Sequence, residues 1–427
     1  MFVTLAAVVI LGLALQVATL NGLGQRRPIG DEEEYLSRGR AADPHAPQPF
    51  LRPPVMPWLA RAAHRASSGS HQAETRLRQF VAFISWLTIA LTAIAGWLQH
   101  GPGVALLAAT LLLAQPERLL LANHLWPETL LGAILAALVV LQSQPTCSGT
   151  ALAIGLLAAL GSAIRIDFLI ILPCLLLVHA ASGLFWQAAV LLAAPSVLLL
   201  IGLAMRNLRR YGVALPDTTW AFNLMAAHCE AQRSPSAPPP PSIERPIAEA
   251  LERWRQLPPP ATPREGWTAL MALLGSPMGL GRGIVRRLLT LVGPDTFIRE
   301  KLLPRGAAYP ELTDAARRRW SMVLRFSLPA LFAVTLTLGV YSQYLPARYA
   351  WPTLGLMLVT VLFHARTRNR VAFLPVLSLV AAQLIHQHAW DLASRFESGT
   401  LATISGLALT AVALTVALSR IRCSREL

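Results

Sequence analysis

Residues 80–99 read Phe80-Val81-Ala82-Phe83-Ile84-Ser85-Trp86-Leu87-Thr88-Ile89-Ala90-Leu91-Thr92-Ala93-Ile94-Ala95-Gly96-Trp97-Leu98-Gln99, with no charged side chain. As a helix rising about 1.5 Å per residue, a stretch of this length matches a hydrocarbon core about 30 Å thick. It opens an almost continuously apolar region from Phe80 to Arg206, in which further spans are expected near 103–121, 126–142, 150–164, 166–182 and 184–205. Several are short, so tilted, partial or fused spans are expected among them. Composition agrees. Hydrophobic residues make up 54% and charged residues 14%, against about 25% charged in a typical soluble domain, and the mean hydropathy is +0.49.

Upstream, residues 2–20 are apolar and uncharged, with no basic residue before them, and read as a retained span rather than a cleaved leader. Residues 22–79 form a polar first loop. Arg61 to Arg78, rich in Ala and Arg, reads as an amphipathic helix along the interface. Downstream, residues 206–321 are a hydrophilic, Pro-rich insertion. Pro238 to Pro241 and Pro258 to Pro260 read as extended spacers, Ser242 to Leu257 as a surface helix, and 267–293 as an interfacial helix. The membrane is re-entered near 323–342, 350–364, 371–387 and 400–418. The expectation is an all-α, polytopic membrane protein of about 11 spans. It divides into an N-terminal module 1–205, an extramembrane insertion 206–321 and C-terminal helices 322–427.

Charge gives the next constraint. The net charge is +15, and Lys301 is the only lysine. Arg-preferring codon usage accounts for that bias, and a basic chain suits anionic headgroups. No basic stripe interleaved with aromatics lies in a soluble segment, so nucleic acid is not an expected partner. Orientation rules conflict. Positive loops place Arg366 to Arg370 and the tail Arg420, Arg422 and Arg425 inside, whereas counting spans from an inside N-terminus places Arg206 and Arg366 to Arg370 outside. The four cysteines are scattered without ligand spacing, so neither a zinc site nor a disulfide framework is indicated. Cys174 reads as a small hydrophobe and Trp126 as an interfacial aromatic.

Acids are scarce, 22 against 37 basic residues, yet Asp31-Glu32-Glu33-Glu34-Tyr35 places four in a row beside the first span. Mutual repulsion would raise the pKa of some of them, making a better proton acceptor near neutral pH. Asp31 is the expected general base and Glu32 its tuning partner or reserve, with Glu33 and Glu34 as solubilising charges. A rigid return follows at Arg52-Pro53-Pro54-Val55-Met56-Pro57-Trp58. Further polar groups mark span ends: Glu128, Arg165, Arg206-Asn207, Arg348 and Arg395. Arg suits a phosphate because its planar fork binds two oxygens at once, although Arg and Glu at helix ends also serve as snorkelling anchors and first-turn acids.

In this order the pieces resemble the GT-C glycosyltransferases, in particular bacterial relatives of the dolichyl-phosphate-mannose protein mannosyltransferases and the aminoarabinose transferases. The family's Asp-Glu-x-x-Tyr is matched by Asp31, Glu32 and Tyr35, and its Lys-Pro-Pro by Arg52-Pro53-Pro54. Its span-opening Glu is matched by Glu128 and its helix-closing Arg by Arg165. An Arg-Asn-x-x-x-x-Gly with a following Thr and Asn-Leu is matched by Arg206, Asn207, Gly212, Thr219, Asn223 and Leu224, and a late Arg-Tyr by Arg395-Phe396. The departures are Arg52 for Lys, Phe396 for Tyr, and no Pro after Arg395. The resemblance implies a polyprenyl-phosphate sugar donor and a lipid, glycan or protein acceptor. It places the protein in a bacterial inner membrane with its site facing the periplasm, Asp31 and Glu32 as catalytic residues, and Tyr35, Arg52, Glu128, Arg165, Arg206, Asn207, Arg348 and Arg395 as substrate or phosphate contacts. No metal ligands are assigned; a divalent cation, which some relatives bind, is the one cofactor left open. A transporter or flippase of a lipid-linked glycan and an inactive envelope scaffold are the competing classes, though no internal repeat of the transporter kind is found.

Overall fold

The computed structural model describes residues 2–23, 26–41, 43, 51–145, 147–180, 186–231, 244–258, 261–292, 298–304, 307–324, 327, 331, 353, 355–358, 360 and 367–393. The described residues are helical and connecting segments, with no strand among them. The elements are α1 (Phe2–Gly22), α2 (Asp31–Arg40), α3 (Val55–Arg65), α4 (Ser70–His100), α5 (Pro102–Leu113), α6 (Pro116–Leu121), α7 (Pro127–Gln142) and α8 (Ser148–Ile164). A 3-10 turn (Ile166–Ile170) leads into α9 (Ile171–Ala180), then come α10 (Trp186–Tyr211), α11 (Thr219–Ala231), α12 (Glu244–Arg255), α13 (Thr262–Leu274) and α14 (Pro277–Val292). A second 3-10 turn (Thr367–Phe373) leads into α15 (Leu374–Ala393).

Four stretches are helical, long and apolar enough to cross a membrane: Val3–Asn21, Ser70–His100, Trp186–Tyr211 and Asn369–Gln387. Four shorter apolar helices, Pro102–Leu113, Pro127–Gln142, Ser148–Ile164 and Ile166–Val178, lie between them. The protein is an integral membrane protein with a lipid-facing skin. Ile10 and Val17 of α1, Phe83 and Ile94 of α4, Leu152, Leu156 and Leu160 of α8, and Val197, Leu198 and Ile201 of α10 all expose large apolar side chains. In water such a skin would drive aggregation; in lipid it is the outer surface. The expected total of about 11 spans is not reached by the described residues, because 400–418 and most of 323–342 and 350–364 lie outside them.

Small residues bring the helices together, as expected where lipid supplies no hydrophobic drive for association. A Cβ on Gly155 in α8 would lie 2.5 Å from the carbonyl oxygen of Leu192 and 2.7 Å from that of Leu191 in α10. Pro195 has no N–H to give the Leu191 carbonyl four residues back, so α8 closes against an unpaired part of the α10 backbone. The span expected at 103–121 is broken for the same reason. Pro116 leaves the Leu112 carbonyl without its helical donor; Gln115 N (3.2 Å) and Arg118 Nε (3.3 Å) replace it. Arg118 also donates to Ser85 Oγ at 2.6 Å, which ties the break to α4.

Helix ends alternate. The C-terminal end of α1, the start of α4, the end of α6, the start of α7, the end of α8 and the end of α10 all lie at one end of the bundle. Asn369 joins them there: its Oδ1 accepts a hydrogen bond from Arg165 at 3.2 Å. Residues 367–370 are therefore at the same end as Arg165. Arg370 is an interior residue: it is fully buried, pairs with Glu117 at 3.2 Å and donates to the Leu291 carbonyl at 3.3 Å.

Three interfacial expectations are corrected. Arg61 to Arg78 is not one helix; it breaks at Ala66–Gly69, and its second half is the first turns of α4. In place of one helix from Trp267 onward, Thr262–Leu274 and Pro277–Val292 are separate helices, bent by 97° at the break Gly275-Ser276. Trp126 is buried rather than interfacial, stacked on His124 at 4.6 Å. Beyond α10, the helices α11, α12 and α13 share a small core of their own, in which Phe222 meets Trp254 edge-on at 5.8 Å.

Candidate active site

Gly30 (φ 59°) turns the chain out of the segment after α1 into α2, a short helix whose first four residues are all acidic. Negative side chains suit that end of a helix. Because a helix turns about 100° per residue, the four acids point in different directions. Asp31 and Glu34 are partly buried, Glu32 is fully buried and Glu33 is exposed. The single like-charged patch anticipated from the sequence does not form.

Asp31 and Glu34 share one cation. Arg52 Nη2 lies 3.2 Å from Asp31 Oδ1 and 2.7 Å from Glu34 Oε2, and Arg52 Nε reaches Glu34 Oε1 at 3.2 Å. Arg38 also pairs with Glu34, at 2.7 Å. Glu34 is thus a structural partner of two arginines, not the solubilising charge expected. Burial works against the Arg52 charge, but Glu34 and Asp31 outweigh it and raise its pKa. Tyr35 is buried beneath, its ring centroid 5.6 Å from the Arg52 guanidinium carbon, where it supports Arg52 from inside the fold.

Glu32 lies elsewhere. Its carboxylate takes two short contacts from Arg26 (2.6 and 2.7 Å), the Leu125 N–H (2.9 Å) and His124 Nδ1 (2.8 Å). His124 Nε2 is 2.9 Å from the Tyr309 hydroxyl. Burial alone would raise the Glu32 pKa; His124 and Arg26 overcome it and hold the carboxyl at about 2. A fully buried acid locked in the ionised form is no reserve base, so that expectation is corrected: Glu32 anchors α2 to the bundle. Burial shifts the other way at His124, whose pKa is lowered.

A second cluster is built where α7 and α8 meet the turn before α15. Arg165 Nη2 pairs with Asp167 at 2.8 Å, Arg165 Nη1 lies 3.6 Å from Glu128 Oε1, and Asn369 completes the set. Asp217 is a fully buried acid whose carboxylate accepts from the Thr219 N–H at 2.8 Å and from the Thr219 hydroxyl. Burial raises its pKa to about 6, with Arg52 opposing the rise and Asp167 adding to it.

Arg206 and Asn207 sit at the end of α10. Arg206 donates to Asn207 Oδ1 at 2.9 Å, and Asn207 Nδ2 donates to the carbonyls of Leu215 (2.6 Å) and Pro216 (3.1 Å). Asn207 is buried and its polar atoms are turned toward its own chain, which corrects its assignment as a substrate contact. Arg348 and Arg395 lie outside the described residues. Among the described residues no three His, Cys, Asp or Glu side chains converge as a metal-ligand set. Asp31 and Glu34 share Arg52, and Glu128 and Asp167 share Arg165.

The structure brings Asp31, Tyr35, Arg52, Glu128 and Arg165, all singled out in the sequence, to one end of the bundle, and adds Arg26, Tyr309, Asp167, Asp217 and Asn369, which were not among the candidates. Only Asp217 carried a local signal, since Asp followed two residues later by a helix start is a common turn arrangement.

This helical architecture has likenesses among solved structures. The apo oligosaccharyltransferase of Archaeoglobus fulgidus aligns over 99% of this chain and 56% of its own, with a TM-score of 0.50 at 14% identity. The fold is of the GT-C type. The same archaeal protein, AglB, in complex with an inhibitory peptide and a dolichol-phosphate aligns over 97% of this chain and 55% of its own (TM-score 0.49, 14% identity). ArnT from Cupriavidus metallidurans bound to undecaprenyl phosphate aligns over 90% and 78% (TM-score 0.40, 16% identity). The chain spans little more than half the length of the oligosaccharyltransferases it matches. No family model and no curated sequence matches it.

Proposed function

We propose that this GT-C-type protein is a membrane glycosyltransferase. It moves a sugar from a polyprenyl-phosphate donor to a hydroxyl of a lipid, glycan or protein, on the extracytoplasmic face of a bacterial inner membrane. The observation that carries the reading is the Asp31–Arg52 pair: an acid at the start of a helix outside the spans, 26% exposed at its side chain and fixed by a guanidinium from the following loop. That is the placement a general base needs, within reach of an incoming hydroxyl and held in one orientation.

The chemistry follows. The acceptor hydroxyl gives its proton to the Asp31 carboxylate as its oxygen bonds to the anomeric carbon. The bond from that carbon to the phosphate oxygen breaks, and the polyprenyl phosphate leaves with the electron pair. Arg52 fixes the orientation of the Asp31 carboxylate and offers its remaining N–H groups to the donor's phosphate. Arg165 and Arg206, with Arg348 and Arg395 as further candidates, balance the charge that develops on the departing phosphate; one such donor supplies about 2–4 kcal/mol of barrier lowering. Glu128 orients Arg165, and the polyprenyl tail runs down the apolar flank of the bundle.

The test uses membranes containing the full chain, supplied with radiolabelled undecaprenyl-phosphate hexoses and pentoses. Transfer of label from at least one donor to a membrane or protein fraction is expected. Absence of transfer from every donor, with the donors competent in a control transferase, contradicts the reading.

A further inference from the structure

Arg52 is held from two sides, and only one of them is α2. The residue before it, Leu51, is fully buried and pairs with Thr218 reciprocally: the Leu51 N–H donates to Thr218 Oγ1 at 3.0 Å, and the Thr218 N–H donates to the Leu51 carbonyl at 3.2 Å. This joins the first loop to a residue 167 positions later. Thr218 is fixed in turn. Its carbonyl accepts from Phe222 N at 3.3 Å as α11 begins, and the preceding carbonyls, of Leu215 and Pro216, are gripped by Asn207 at the end of α10. A continuous strap therefore runs from α10 through Asn207, Pro216 and Thr218 to Leu51, and ends one peptide bond from the guanidinium that holds Asp31.

We infer that Thr218 and Asn207 are positioning residues for Arg52: the strap sets where the Arg52 guanidinium sits over α2 and so where it meets the donor's phosphate and Asp31. The inference rests on the proposed role of Arg52 in the transfer. It explains why an Arg-Asn pair lies at the end of a span with the Asn turned inward. The Asn acts on the site through the backbone of 215–218 and touches no substrate. It also joins the extramembrane core of α11, α12 and α13 to the site, because α11 starts at the residue after Thr218.

The experiment uses the purified full chain in detergent with undecaprenyl phosphate as the probe. Binding is followed by native mass spectrometry and the bound phosphate by its 31P resonance. Thr218→Val, which removes the hydroxyl that receives the Leu51 N–H, is expected to weaken binding about tenfold and shift the resonance. Thr218→Ser, which keeps the hydroxyl, restores both. Arg52→Ala is expected to lose at least as much, and Thr218→Val in the Arg52→Ala background to lose nothing further, because the strap acts only through Arg52. If valine at this buried position prevents folding, Thr218→Ala carries the same cycle. Wild-type binding by Thr218→Val beside weakened Arg52→Ala overturns the inference and leaves the proposed role of Arg52 standing. Additive losses overturn it too, since a merely structural strap acts independently of Arg52. Wild-type binding by Arg52→Ala removes the role of Arg52 and the inference with it.

Discussion

Asp31 and Glu32 are neighbours with opposite tasks, and burial decides between them. Asp31 is partly exposed on the Arg52 side of α2; Glu32 is sealed among Arg26, His124 and Leu125. Replacing Glu32 by Gln keeps the shape but leaves Arg26 buried without its counter-charge. Losses of about 3–5 kcal/mol are usual when one partner of a buried pair is removed, so a clear fall in the unfolding midpoint in detergent is expected. The pH dependence has a definite sign. The Glu32 pKa is about 2 in the fold against 4.5 ordinarily, so its stabilising contribution is present above pH 4.5 and lost as pH falls toward 2. Glu32→Gln should lack that acid limb. Asp217 behaves oppositely. Its pKa is about 6 against 3.8, so its contribution is present below pH 3.8 and lost as pH rises through 6. Asp217→Asn should therefore gain on the wild type as pH is taken from 4 to 7.5 in thermal melts; a difference that stays constant with pH contradicts the burial of an ionisable Asp217.

At the scale of elements, α2 works because it lies close on α3. A Cβ on Gly39 would sit 2.8 Å from the backbone carbon of Ala60. Gly39→Leu should push the helices apart, cost about 1–3 kcal/mol as overpacking does, and move Asp31 away from Arg52. Gly30→Ala, where nothing lies within 4 Å, should cost only the backbone strain of a positive φ, about 1–3 kcal/mol. Melting curves of the two variants separate the effects, with transfer lost in Gly39→Leu and retained in Gly30→Ala. The apolar helices up to Tyr211 were legible in the sequence because apolar runs are read directly from hydropathy. What was not legible is how each run is broken. The break at Pro116 depends on Arg118 reaching Ser85, and the split of Arg61 to Arg78 depends on where α4 begins. Likewise Asp31 and Arg52 stand out as residues, but Asn369 reaches the site through a contact with Arg165, 204 positions away, which no local pattern encodes.

At the scale of the molecule, alternation of helix ends puts Asp31, Arg165, Asp217 and Asn369 at one end and the α7–α8 turn at the other. Cys147 lies exposed in that turn, and Glu33 is exposed on α2. In sealed, right-side-out vesicles of a Glu33→Cys variant, a membrane-impermeant maleimide should label one of the two positions, with the other reacting only after the vesicles are opened. Labelling of both from one side contradicts the alternation. If position 33 is the one labelled from outside, the extracytoplasmic placement of the site gains direct support.

The central claim is that Asp31 removes the acceptor's proton, and initial-rate transfer from the accepted undecaprenyl-phosphate sugar tests it most directly. Wild type, Asp31→Asn and Asp31→Glu are compared as folded, full-length protein. General-base catalysis contributes about 10²–10⁴-fold, so Asp31→Asn should fall by that range with undecaprenyl-phosphate binding unchanged, and Asp31→Glu should recover part of the rate. Transfer by Asp31→Asn at the wild-type rate would show that the proton goes elsewhere.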